Sequence, residues 1–305
     1  MFRAYRFPFI SIQKFTVFCL LICSIFCFLP VFGETPTVLD FARISNTVYG
    51  FGKSGFSVPA GYKEILGQTL LPNGFIGAAY EKIDTGEIVI AFAGTNFPGP
   101  ADLLADLGIV NSDIKAIERA IKILLGKEHP HKEGEVGKAK DVLQHARDVL
   151  ITNPNAEIKS QLDSARMFTK QTLEYIDSRK RFSLLHRDFE DAKTEHKVYL
   201  AGHSLGGFLA QIVAYENHLP AITFNAPGAA GMIQNGKSDQ IVNFIRKYDL
   251  VGIYGVHVGR LVVYPSSKIS ITNFYMTFVL RNHVMWPFIK DLEDGMTPLA
   301  ENDSF

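Results

Sequence analysis

Residues 197–208 read Lys-Val-Tyr-Leu-Ala-Gly-His-Ser-Leu-Gly-Gly-Phe. An apolar run of strand character ends at Gly202-His203-Ser204-Leu205-Gly206, and an Ala/Leu/Ile-rich helical pattern follows through Tyr215. Strand, G-x-S-x-G and helix in that order describe a nucleophile elbow. The turn is so tight that the positions two before and two after the serine must be nearly free of side chain, which Gly202 and Gly206 provide. Ser204 then stands at the carboxyl edge of a sheet. Leu205 begins the helix, where backbone N–H groups have no partner in their own helix and can face a developing oxyanion.

Working outward, the flanking segments alternate between strand and helix. Thr35–Tyr49 reads as a short helix with Thr35 as N-cap and Pro36 at its first helical position. A glycine-bearing loop through Gly61 follows. Phe75–Lys82 and Glu87–Ala93 read as a hairpin across Asp84-Thr85-Gly86. The continuously apolar Ile88–Ala93 suits a strand buried on both faces. Asn111 to about Lys193 reads as a helical insert, with apolar faces carried by Ile114, Ile117, Ala120, Ile121 and Leu124, and by Ile158, Leu162, Ala165, Phe168, Leu173 and Ile176. A charged loop, Gly126–Gly137, separates them. Beyond the elbow, Ala221–Phe224, Ile241–Ile245 and Leu261–Tyr264 are strand-like, Thr272–Leu280 is a further strand or short helix, and Trp286–Leu292 is a closing helix. The alternation predicts an α/β fold: a mostly parallel central sheet, helices on both faces, and a helical insert before the elbow.

Composition narrows the classes of function. The chain has 305 residues, 47% of them hydrophobic, enough for a sizeable core. Its 31 basic and 31 acidic side chains balance, and nothing in that composition points to nucleic acid. The first 33 residues stand apart. Arg3, Arg6 and Lys14 are followed by an uncharged run from Phe15 to Phe28, then Pro30 and small residues near Val31 and Gly33. This describes a secretory signal peptide ahead of a domain spanning 34–305. An uncleaved membrane anchor is the competing reading, for which the run is short. Cleavage gives a secreted or periplasmic protein. Cys19, Cys23 and Cys27 all lie in this leader, so the remaining chain holds no cysteine and folds without disulfides.

A serine hydroxyl needs a base, and the base needs a group that holds its tautomer. Three histidines follow Ser204. His218 ends the serine helix, where it complements the helix dipole. His257 and His283 both lie in loop-like segments. Asp249 follows strand Ile241–Ile245 at the sheet's carboxyl edge, where ligand-binding loops gather; Asp239 precedes that strand. For a second oxyanion donor, Gly94-Thr95 closes the buried strand, and the Thr95 amide can face the oxygen. The adjoining Asn96–Ala101 is either part of a lid or acyl-chain wall, or a rigid proline-rich loop. His129-Pro130-His131 reads as a solvated loop rather than a metal site.

With these residues in place, the chain resembles the class 3, fungal-type lipases of the α/β-hydrolase superfamily over about Leu39–Phe288. The resemblance is carried by Val89–Thr95, by Gly202–Gly207, by Ile222–Gly228, by Tyr248–Val251, by Gly255–Gly259 and by Asn282–Trp286. It implies an α/β-hydrolase fold and a lipase or esterase working through an acyl-enzyme. Ser204 would be nucleophile, Asp249 the residue orienting the base, His283 the base, and the Thr95 and Leu205 amides the oxyanion hole. His257 falls in a segment where histidine is not the base. No cofactor or metal is implied; the expected partners are a lipid or ester substrate and, transiently, a lipid surface, with no nucleic acid. The alternatives are an acyltransferase using the same Ser/Asp/His set and a catalytically silent binding module. Two departures stand out: Ala93 occupies a position where the family often has Arg, and the helical insert is long.

Overall fold

The computed structural model describes residues 34–50, 57–68, 71–94, 100–130, 132–186, 196–234, 236–266 and 280–300. Two compact units divide the chain at Glu34/Thr35, and all the described elements belong to the second.

Among the described residues, seven strands form one sheet in strictly sequential order: β1 (Tyr62–Gln68), β2 (Gly77–Lys82), β3 (Ile88–Phe92), β4 (Val198–His203), β5 (Ala221–Phe224), β6 (Ile241–Arg246) and β7 (Arg260–Tyr264). β1–β2–β3 is an antiparallel meander, and β3 through β7 run parallel. The helices are α1 (Val38–Thr47), α2 (Pro100–Asp106), α3 (Asn111–Leu124), α4 (Glu135–Asp148), α5 (Ala156–His186), α6 (Leu205–Asn217), α7 (Leu280–His283) and α8 (Met285–Glu293).

Parallel crossovers share one hand, so when successive strands add in a single direction their connections accumulate on one face. The side chains follow this rule. Ile88, Ile90 and Phe92 of β3 point into a core shared with buried residues of α2 to α6. Their alternates Val89 and Ala91 point into a second core with Phe41 and Ile44 of α1 and Met285 and Phe288 of α8. The crossover helices therefore cover one face and the two end helices cover the other. This is the expected mostly parallel sheet with helices on both faces and a helical insert before the elbow.

The insert is α3 through α5, and the short α2 precedes it. The apolar residues of its first and last helices are buried as their spacing requires, with Leu124 and Leu173 at the margin of the core. Arg179 of α5 donates to Glu81 of β2 at 2.5 Å, and Lys63 of β1 lies 3.2 Å from the same carboxylate. These pairs fasten the long helix to the antiparallel end of the sheet and hold the Glu81 carboxyl below its usual range, even though burial of the group acts the other way. No helix among the described residues is long and apolar enough to cross a membrane.

Two expectations are corrected. The first helix is capped by Thr37, not Thr35. Thr37 Oγ1 accepts from the Asp40 amide at 3.1 Å and Asp40 returns the bond at 3.0 Å, a reciprocal capping box that leaves Pro36 outside the helix. α4 begins at Glu135, inside the stretch expected to be loop, after Gly134 with φ +85°. β1 adds an edge strand at Tyr62–Gln68, a stretch to which the sequence reading assigns no element. The Thr272–Leu280 expectation falls, apart from Leu280, outside the described residues.

Candidate active site

β4 delivers its last residues to the carboxyl edge of the sheet, and α6 starts at once. Ser204, between them, has φ +57° and ψ −129°, a conformation rare for a residue with a side chain. Its backbone is held by its N–H donating to Phe224 O at 3.0 Å and by its carbonyl accepting from Gly207 and Phe208. The bend needs its glycines: a Cβ on Gly202 would collide with the Gly206 backbone, and one on Gly206 with Phe92 O. A Cβ on Gly94 would sit 2.5 Å from Tyr49 Oη and 3.2 Å from Ser204 Cβ. The turn after β3 is thus packed directly against the serine.

β6 delivers Asp249 to the same edge through Lys247 and Tyr248. The Asp249 side chain is fully buried, and its oxygens accept from the amides of Gly252 at 2.9 Å and Val251 at 3.4 Å. His283 comes from the far end of the chain, at the break between α7 and α8. Its Nδ1 lies 3.1 Å from Asp249 Oδ1 and 3.3 Å from Oδ2, and its Nε2 lies 2.9 Å from Ser204 Oγ. A carboxylate can only accept, so Nδ1 carries the proton and Nε2 is left to accept the serine O–H. The geometry therefore selects the tautomer that can take a proton from Ser204.

Of the residues singled out in the sequence, Ser204, Asp249 and His283 come together although 79 positions separate the histidine from the serine. Leu205 opens α6, and its amide lies in the first turn. Thr95, Asn96, Phe97, Pro98, Gly99 and His131 lie outside the described residues. His257 is engaged elsewhere: its Nε2 meets Ala226 O at 2.9 Å, and burial holds the ring near a pKa of about 4, hence neutral. His218 is the C-cap of α6 in the left-handed region, with φ +54°. No group of three or more potential metal-ligating side chains occurs among the described residues.

The structure adds residues that the motif left unassigned. Asn225, at the end of β5 with φ +45°, donates from Nδ2 to the carbonyls of Asn282 and His283, both at 2.9 Å. Its Oδ1 accepts from the Arg246 amide at 3.0 Å. The buried Arg246 guanidinium donates to Pro287 O at 3.0 Å, pairs with Asp291 and lies 4.9 Å from the Phe288 ring. Strands β5 and β6 thereby grip the His283 segment from below. His203 is also buried, 4.8 Å from the His283 ring. The only hint of Asn225 in the sequence was its place at the end of a short strand in Phe224-Asn225-Ala226-Pro227.

No family model matches the sequence, and no curated protein matches it. Among solved structures, the chain is similar to Lip2 lipase from Yarrowia lipolytica (13% identity over 82% of this chain and 92% of that one, TM-score 0.47). It is also similar to Rhizomucor miehei lipase (14%, 76% and 68%, TM-score 0.40) and to a triacylglycerol lipase from Penicillium expansum (14%, 77% and 82%, TM-score 0.39). The sequential sheet, the strained serine between β4 and α6, and the acid and histidine delivered after β6 and β7 make this chain an α/β-hydrolase-fold protein.

Proposed function

We propose that the protein is a serine hydrolase cleaving carboxylic esters of lipids through an acyl-enzyme. One observation carries the reading: Ser204 Oγ, the His283 ring and the Asp249 carboxylate form a continuous hydrogen-bonded line with the tautomer fixed by Asp249. In the forward step, Ser204 Oγ attacks the ester carbonyl as its proton passes to His283 Nε2. The Leu205 amide, with that of Thr95, receives the negative charge on the carbonyl oxygen. The alcohol departs with the proton from the imidazolium. Water then attacks the acyl-serine, again losing its proton to Nε2, and the acid leaves as Ser204 is reprotonated.

An apolar acyl group is supported by the surroundings of the base. Val284 and Trp286 follow His283 closely in the chain and are 41% and 63% exposed. Exposed large apolar side chains on the segment that carries the base fit a substrate that is itself apolar, or a lipid surface presenting it. The N-terminal 33 residues, read as a signal peptide, would send the enzyme out of the cytoplasm.

Ser204→Ala tests the assignment. We expect it to lose hydrolysis of p-nitrophenyl esters and labelling by a fluorophosphonate probe while keeping its far-UV circular dichroism. Retained turnover in that variant refutes it. A panel of short- and long-chain glycerides and phospholipids then sets the substrate class.

A further inference from the structure

We propose that His203 and Tyr49 are positioning residues that brace the His283 segment and the turn after β3 against the elbow, a proposal that rests on the reading of Ser204, Asp249 and His283 as the reacting groups. His203 occupies the open position of G-x-S-x-G, where the motif asks nothing of the side chain. Its ring nevertheless has a partner at each nitrogen: Nε2 lies 2.7 Å from the His283 carbonyl oxygen, and Nδ1 lies 2.8 Å from Tyr49 Oη.

The chemistry of those partners fixes every proton. A carbonyl can only accept, so Nε2 carries the hydrogen. Nδ1 of the neutral ring is then an acceptor and takes the Tyr49 O–H. The second acceptor near that hydroxyl, His203 O, is farther at 3.3 Å. Tyr49 Oη in turn accepts from the Gly94 amide. One hydrogen-bonded line therefore runs from Gly94 N–H through Tyr49 and His203 to the backbone of His283. Its ends are the turn leading to Thr95 and the residue that moves the proton.

The line works only with a neutral ring at position 203. Burial, with the His283 ring beside it, holds His203 near a pKa of about 3, and burial raises the Tyr49 hydroxyl well above its ordinary value. The His283 carbonyl receives two donors, His203 Nε2 and Asn225 Nδ2, from β4 and β5 respectively. One carbonyl gripped from two strands sets where the imidazole hangs over Ser204. Displacements of about 1 Å in such positioning cost on the order of 100-fold in rate.

The test compares Tyr49→Phe, His203→Leu, His203→Gln and the Tyr49→Phe/His203→Leu pair with the wild-type chain on a short-chain p-nitrophenyl ester. Neither side chain contacts the reacting atoms, so kcat should fall about 10-fold in Tyr49→Phe and about 10- to 100-fold in His203→Leu, with KM changed less than about twofold. The double variant should lose no more than His203→Leu alone, since both changes cut one line. His203→Gln, whose amide can donate to the His283 carbonyl and accept from Tyr49, should recover most of the rate. In the wild-type protein, nitrogen-15 NMR of the histidines should show position 203 protonated at Nε2 and accepting at Nδ1, a readout independent of whether any variant folds. The brace is overturned by folded Tyr49→Phe and His203→Leu variants with wild-type kcat, by additive losses, by no rescue in His203→Gln, or by the opposite tautomer. Wild-type turnover with unimpaired variants removes the brace alone, whereas absence of Ser204-dependent turnover in the wild type removes both readings.

Discussion

Asn225→Asp exchanges one amide for one carboxyl at nearly constant shape, in surroundings that make the exchange costly. Nδ2 of Asn225 faces two carbonyl oxygens at 2.9 Å, those of Asn282 and His283, in a fully buried site. Replacing that donor by a carboxylate oxygen removes two hydrogen bonds and points a buried charge at two acceptors. Two lost bonds and the unpaired desolvated charge together cost about 3–5 kcal/mol. The carboxyl can escape by taking a proton, since a carboxylic acid O–H donates to a carbonyl as the amide did. Its pKa in the folded protein is therefore raised above that in the unfolded chain. A group with a raised folded pKa contributes stability in full at low pH and loses it as pH rises through the folded value. Each pH unit below that value returns about 1.4 kcal/mol. Urea unfolding followed by circular dichroism, at about pH 8 and about pH 5, measures this as the difference between variant and wild type. The penalty should be about 3–5 kcal/mol at the higher pH and smaller by more than about 1.5 kcal/mol at the lower. A penalty below about 1 kcal/mol, or one that grows on acidification, would show that the Asn225 amide does not hold the His283 segment.

The wild-type protein should respond to acid in the opposite sense. His203 titrates near 3 when folded against an ordinary value of 6.5, so its contribution to stability is complete above 6.5 and is lost as pH falls from there toward the folded value. Between neutrality and about pH 5 this amounts to about 2 kcal/mol, and His203→Gln should remove that share of the acid sensitivity; an unchanged pH slope in that variant refutes it. Asp249→Asn should keep the fold, because an amide oxygen still accepts from Gly252 N, while kcat falls by about 10³–10⁴ as the His283 ring loses its tautomer preference; a loss under tenfold would remove Asp249 from the relay.

The legible part of this chain was the part in which local pattern and tertiary role coincide. β3 is apolar at every position because both of its faces are covered, and the elbow is spelled by glycines that admit no Cβ. Asp249 was readable because it follows a strand at the edge where the serine stands. Elements were missed where the pattern was diluted. β1 reads Tyr62-Lys63-Glu64-Ile65-Leu66-Gly67-Gln68, and an irregularity between Glu64 and Leu66 breaks the alternation that marks a strand. In α4 the buried residues are Ala139, Leu143 and Ala146, a stripe too narrow to stand out beside Gly137 and the surrounding charge. At the start of α1 the two threonines differ in one respect: Thr37 has an acidic residue three positions on and Thr35 does not.

His203 and Tyr49 were illegible for a different reason, and the sheet order supplies it. They lie 154 positions apart, and nothing local links a tyrosine ending the first helix to the variable position of an elbow. Sequential strand addition commits the crossover helices to one face, so among the described helices only the first and the last remain to cover the other. α1 and α8 are held together there, Arg43 donating to Glu293 at 2.8 Å. Once that face is theirs, the residue leaving α1 and the residue entering α8 meet at the carboxyl edge, beside the bend between β4 and α6. Tyr49 follows α1, His283 precedes α8, and His203 lies between their polar groups. The contact is thus a consequence of topology, visible only after the strand order is known. It also ties both end helices to the hydrogen-bonded line of Ser204, His283 and Asp249, so loosening either end helix should be felt at Ser204 before it is felt in the core.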